Sequence, residues 1–264
     1  MVGKMEFDFT LKKYNELCSA IFESKYRSKT MIDYLNENPQ GNVIILRHDV
    51  DSRIESALKL AQIERNYSLN ATYYFRADAI SRPDIVKNVA DLGHEVGYHY
   101  EVMDTAKGNY EEAIKIFKDT LEKFRSIAEI KTICMHGTPF SPYDNLALWK
   151  HYDFNDFGIT GEGYLSIDFN KILYFCDTSR SWNGTKYKVK DVVQTSTSYL
   201  EKIKNTDDLI NLIKNGEKKQ LYISTHPARW KEKTSDSIKD IMHQKVKNVG
   251  KFALHHSFKY QREG

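Results

Sequence analysis

Val43-Ile44-Ile45-Leu46-Arg47-His48-Asp49-Val50-Asp51 is the stretch on which the reading of this chain turns. Four apolar residues, three of them β-branched, run directly into a knot of ionisable side chains. An unalternated apolar run of this length fits a strand buried on both faces, as in a parallel sheet. The knot then falls at the strand's C-terminal end, the edge where α/β sheets and barrels build their sites. Asp49 and Asp51 are two residues apart, so extended backbone points both the same way. Two carboxylates aimed into one mouth suit a metal ligand and a base. A strand-end turn carrying solvated acids is the plainer alternative.

Outward from this stretch, apolar strand-like runs alternate with helical periodicity. Asn70–Arg76, Glu95–Tyr98, Lys131–Met135, Ile172–Cys176 and Gln220–Thr225 read as strands. A helix over 53–66, capped by Ser52, turns Ala57, Leu58, Leu60, Ala61 and Ile63 toward a core. A second starts at Ser81-Arg82-Pro83-Asp84 and stops at Gly93. Others are expected over 110–127, 207–215 and 233–257. Residues 9–37 give one or two leading helices, broken by Asn38-Pro39-Gln40-Gly41, and 150–195 holds no clear long helix. The alternation predicts a parallel α/β fold with right-handed crossovers. One domain over 1–264 is expected: a helical lead-in to residue 40, the main fold over 41–230, and a closing helix over 231–264.

The strand ends share a chemistry. His48, Asp49 and Asp51 end one run, and His99, His136 and His226 each end another. Ile172–Cys176 ends at Asp177. One histidine alone is more often a core or surface residue. Several, each at the C-terminal end of its own strand, converge on one face of a parallel sheet or barrel and point to a metal site.

Composition narrows the function classes. A net charge of +3, with acids and bases interleaved, gives no support for a nucleic-acid partner. Cys18, Cys134 and Cys176 are odd in number, far apart and without a CxxC, which fits free thiols in a reducing compartment. Cys134 lies two residues before His136, so a thiol ligand is conceivable, though a buried strand cysteine is the simpler account. The N-terminus lacks a basic segment followed by an apolar one, and no run of about 18 apolar residues exists. A cytoplasmic protein without a transmembrane segment is expected, one still able to meet a membrane-bound substrate.

RHDVD (47–51) followed by GHEVGYH (93–99) resembles the polysaccharide deacetylase family, the NodB-homology group of metal-dependent sugar N-deacetylases. The resemblance covers about residues 43–230, and the paired motif in this order is more specific than either half. It implies a distorted (β/α) barrel of about seven parallel strands. It also implies a divalent metal, usually zinc, and hydrolysis of an N-acyl group on a sugar. Carried over by position, it implies Asp49 as base, Asp51 and His99 as metal ligands, and His226, in Ile223–Pro227, as general acid.

The sequence departs from the family at one ligand. The second metal histidine lies four residues after the first, and position 103 here is Met, a poor ligand for a hard or borderline ion. His136 is the preferred replacement; placed near the family's Arg-Pro-Pro-type motif, it could instead orient Asp49. His94 and Asp104 are the other options. His48 points the other way along the strand and suits a supporting role. Backbone N–H groups near Pro139–Pro142 are candidates to bind an oxyanion.

Asp177, Arg180 and Trp182 offer a carboxylate, a guanidinium and an indole to a sugar, with Tyr98 near the same mouth. The competing reading makes this a surface loop with Trp182 plugged into the core. Arg47, Arg53, Glu101 and Arg229 could form ion pairs that hold the site without touching substrate. The leading expectation is removal of an acetyl or formyl group from a nucleotide- or lipid-linked sugar in surface-polysaccharide synthesis. The missing ligand keeps open a non-catalytic carbohydrate-binding relative. A glycosyltransferase using Asp-x-Asp leaves the strand-end histidines without a task.

Overall fold

The computed structural model describes residues 8–138, 141–182, 202–233 and 235–236. Eight parallel strands form one sheet: β1 (Arg27–Lys29), β2 (Val43–Val50), β3 (Thr72–Phe75), β4 (Glu95–Tyr100), β5 (Thr132–Met135), β6 (Gly161–Glu162), β7 (Leu173–Cys176) and β8 (Gln220–Thr225). Seven follow the order β6-β5-β4-β3-β2-β8-β7, and β1 pairs with the first half of β2. The seven-strand path curls into a half-barrel flanked by helices, a distorted (β/α) barrel.

The decisive stretch sits at its centre. Every residue of β2 is buried, and β2 pairs with β3 on one side and β8 on the other. One apolar core fills the space between sheet and helices. Leu46, Tyr98, Phe117, Phe124 and Ile223 belong to it. A second, smaller core of Met31, Ile45, Tyr174 and Tyr222 fills the concave side. Strand alternation therefore sends ionisable residues inward at the top of the barrel, while their neighbours pack outward.

Helix α3 (Glu55–Asn66) follows β2, α4 (Pro83–Asp91) precedes β4, and α6 (Tyr110–Arg125) precedes β5. Helix α6 buries Ala113, Ile114, Phe117, Leu121 and Phe124 at i, i+3, i+4 spacing. Each large one stabilises by roughly 1.5–3 kcal/mol. Gly97 in β4 has a steric reason. A Cβ there would lie 2.4 Å from two Tyr74 ring carbons and 2.9 Å from the Thr132 carbonyl oxygen. The second glycine of GHEVGYH thus lets a tyrosine cross the barrel interior.

Several sequence expectations change. Residues 9–37 do form two helices, α1 (Leu11–Glu23) and α2 (Met31–Glu37), but the strand β1 lies between them unanticipated. Ser52 does not cap α3: Ile54 is its N-cap, and no side chain bonds there. Gly93 lies just past the α4 C-cap with φ of 91°, as a helix stop requires. Short elements were not anticipated: β6, and helix α5 (Val102–Thr105), which buries Met103. The helix expected over 233–257 lies almost wholly outside the described residues, as does Pro139 of the oxyanion suggestion.

Candidate functional site

The top of the barrel gathers four of the strand-end groups around one carboxylate. Asp51 Oδ1 lies 3.4 Å from His99 Nε2 and 3.8 Å from His136 Nε2, and Asp51 Oδ2 lies 3.5 Å from His226 Nε2. Asp49 reaches the same place, with Oδ2 4.0 Å from His99 Nε2. Asp49 and Asp51 thus face one mouth, as extended backbone dictates.

Hydrogen bonds fix which ring nitrogens are free. His99 Nδ1 sits 2.9 Å from the Cys134 carbonyl oxygen, which only accepts, so Nδ1 carries a proton. His136 Nδ1 lies 2.9 Å from Glu101 Oε2 and donates to it. Both rings, when neutral, turn an Nε2 lone pair toward Asp51. Asp51 Oδ1 is itself buried without a hydrogen bond. Asp51 Oδ1 thus faces two imidazole nitrogens, and with both rings neutral no donor fills the space at that oxygen, which suits a cation. The set is two imidazoles and a carboxylate, each imidazole's other nitrogen bonded to an oxygen, a donor set able to hold a divalent ion.

The two carboxylates have different supports. Arg47 grips Asp49 in a fork, Nε to Oδ1 and Nη2 to Oδ2, both 2.7 Å. The guanidinium is fully buried and lies 4.6 Å from the Tyr164 ring centre. Burial pushes the Asp49 carboxyl up, but Arg47 and His99 hold it below the ordinary carboxylate range. Asp51 is likewise held down, against burial, by His99, His226 and His136 when these rings carry their protons. Glu101 pairs with Arg76, which also donates to the Asp51 carbonyl. Burial raises Glu101, but His136 and Arg76 pull its carboxyl to about 2.

His226 has a dedicated carboxylate. Asp177 Oδ1 is 2.6 Å from His226 Nδ1 and 2.7 Å from Arg229 Nη1. Asp177 Oδ2 accepts from the His226 backbone and from Trp230 Nε1. Burial and the Arg229 charge push the imidazolium down, yet Asp177 outweighs both and lifts its pKa to about 9. His226 is therefore a charged donor at neutral pH, with Nε2 facing the mouth.

Other expected residues lie elsewhere. Asp177 is fully buried and saturated by its own neighbours, so the expected sugar contact is corrected to a support for His226. Trp182 is also fully buried, near Phe9 and Trp230, and donates to Thr206 Oγ1. Tyr98 is 2% exposed and packs on Phe117 and Phe124 on the outer face of the sheet. Neither ring offers a face to a sugar. Arg180 is partly buried over the Phe9 ring at 5.8 Å. His94 sits behind the sheet, bonded to the Ala61 carbonyl, and Asp104 binds Ser141 and Asn145, so neither joins the Asp51 cluster.

Two cysteines approach the site. Asp49, His99 and Cys134 have ligand atoms within 4.8 Å of one another, and so do Cys176, Asp177 and His226. The buried Arg47 charge acts on both Asp49 and Cys134 and disfavours a cation between them. Asp177 is already engaged by Arg229 and Trp230. Sequence reasoning overlooked Tyr164, whose hydroxyl accepts from Arg47, and Glu162, whose carboxylate holds the Tyr164 backbone N–H. No strand periodicity marks them, because β6 is only two residues long.

No protein-family model and no curated protein matches this chain. Solved structures do. The structural neighbours are family 4 carbohydrate esterases. A family 4 pseudoenzyme from Bacillus anthracis is 14% identical, with a TM-score of 0.47, over 80% of this chain and 63% of that one. A family 4 carbohydrate esterase from Streptomyces lividans, in complex with acetate, is 17% identical, with a TM-score of 0.42, over 79% and 90%. Another, from Bacillus anthracis, is 15% identical, with a TM-score of 0.44, over 82% and 85%. The chain spans under two thirds of the pseudoenzyme's length. With identities and scores this low, the functional reading rests on this chain's own residues.

Proposed function

We propose that the protein is a metal-dependent hydrolase that removes an N-acyl group, acetyl or formyl, from a sugar. The observation that carries this reading is the buried Asp51 Oδ1, unbonded and faced by two imidazole Nε2 atoms. Asp51, His99 and His136 would hold the ion, with zinc the proposed metal. His136 supplies the imidazole that Met103 cannot. Such an ion contributes Lewis acidity, which polarises an acyl carbonyl and acidifies water.

The chain's own groups account for the proton transfers. Asp49, fixed by the Arg47 fork, accepts a proton from the attacking water. His226 donates its Nε2 proton to the departing sugar nitrogen, so the C–N bond breaks to leave a neutral amine and a carboxylic acid. Asp177 keeps His226 charged and oriented for that step. A nucleotide-linked or lipid-linked sugar is the proposed substrate class, and Arg180 is a candidate for its anionic group. Among the described residues, no helix is long and apolar enough to cross a membrane.

The test is release of acetate or formate from a panel of N-acylated sugars, free, nucleotide-linked and lipid-linked, by zinc-loaded protein. Release that is lost in Asp49→Asn, with the fold intact by circular dichroism, supports the assignment. Release undiminished in that variant removes Asp49 from the role. Stoichiometric zinc with no release from any sugar leaves the non-catalytic binder as the reading.

A further inference from the structure

Behind the active site, on the outer face of the sheet, lies a polar cluster that the reaction does not use. Glu64 of α3 is fully buried. It accepts from Tyr14 of α1, from Tyr73 Oη of β3 at 2.6 Å, and from His48 Nε2 of β2 at 2.7 Å. The other nitrogen of His48, Nδ1, lies 2.7 Å from Thr225 Oγ1 at the end of β8. Burial pushes the Glu64 carboxyl up, but His48 and its other partners hold it in the charged form. A buried charge with this many partners is costly to assemble, and its hydrogen bonds fix the geometry of the groups around it.

His48 pairs with Tyr73 on one side and with Thr225 on the other. The row Thr225–His48–Tyr73 therefore crosses three neighbouring strands on the outer face. The next residue on β2 is Asp49, and the next after β8 is His226. Because side chains alternate, both turn to the inner face. The base and the acid thus stand on two strand ends that are bolted together from behind, one residue earlier.

We propose that His48 and Thr225, held by Glu64, form a positioning clamp that sets the spacing of Asp49 and His226 across the mouth. The proposal rests on the hydrolase reading for its effect on rate, but not for its effect on geometry. A carboxylate only accepts, so Glu64 fixes a proton on His48 Nε2 and leaves Nδ1 to meet the Thr225 hydroxyl. A 1 Å error in such a spacing can cost about a hundredfold in rate.

The test compares Thr225→Val, which keeps the branched shape but loses the hydroxyl, with Thr225→Ser, which keeps the hydroxyl. On zinc-loaded protein, T225V should lower kcat tenfold or more, with KM and bound zinc unchanged, and T225S should restore most of the rate. T225V with wild-type kcat overturns the clamp, as does a T225S rate as low as that of T225V. A second readout needs no turnover: the ring 1H–15N resonances of His226 should move in T225V and return in T225S. Unmoved His226 resonances overturn the clamp even if no sugar is hydrolysed. Moved resonances without hydrolysis by wild type keep the clamp and reject the hydrolase.

Discussion

Asp177 Oδ1 stands 2.6 Å from His226 Nδ1 while Arg229 Nη1 holds the same oxygen at 2.7 Å. The carboxylate thus serves two cations that oppose each other's charge. Its attraction for the imidazolium wins, and the His226 pKa rises to about 9.

A pH dependence follows from this. The donor form of His226 is the protonated one, so hydrolysis should fall on the alkaline side as His226 loses its proton, at a pH below about 9 because the charge of a bound ion beside Asp51 pushes the imidazolium down. In Asp177→Asn the attraction is gone while Arg229 still pushes down. The alkaline limb should then move to lower pH, with only Asp51 left to pull the imidazolium up. A profile of kcat/KM against pH for both proteins reads the shift; identical alkaline limbs would remove Asp177 from this role.

Zinc should bind with release of protons. His136 lies against burial but beside Glu101 and Asp51, which together raise its pKa. Its Nε2 is therefore more readily protonated than in a free histidine, and an ion must displace that proton. Affinity should fall as pH drops below the raised value. Titration calorimetry in buffers of different ionisation enthalpy measures the release. Glu101→Gln should weaken zinc binding by about ten- to a hundredfold although residue 101 is not itself among the ligands.

Arg47 offers a test of stability rather than turnover. Its guanidinium is fully buried and both Asp49 oxygens depend on it. Arg47→Met leaves a buried carboxylate unpaired and should cost about 3–5 kcal/mol in urea unfolding. Adding Asp49→Asn should recover a large part of that loss, since no charge is then stranded. Additive losses in the double variant would show that the fork carries little of the effect.

What the sequence disclosed depends on range. The apolar run into Arg47–Asp51 located β2, and histidines ending separate runs located the mouth, because both signals are local. Partnerships across strands were not legible: Arg47 lies inside a barrel although arginines are seldom buried, and the Asp177–His226 bond depends on how β7 and β8 pair. Trp182 lies on a loop, whose facing a sequence does not give, whereas Tyr98 was legible: it precedes His99 on one strand, so alternation sends it to the opposite face and into the core. Glu64 did leave a trace. Ala57, Leu60 and Ala61 form the buried stripe of α3, and Glu64 falls on that stripe, a charge where an apolar residue is expected.

Trp182 separates packing from recognition. Its indole is fully buried, and its one polar atom donates to Thr206 at 3.0 Å. A sugar-stacking residue would have an open ring face and would change KM when truncated. A core residue changes stability instead. Trp182→Ala should lose about 3–5 kcal/mol, the range for a large aromatic removed from a core. Trp182→Phe keeps much of the volume and loses the N–H bond, so it should cost less. Urea unfolding of both variants, beside KM for a hydrolysed sugar measured where each is fully folded, gives the answer. A raised KM with unchanged stability would return Trp182 to the substrate.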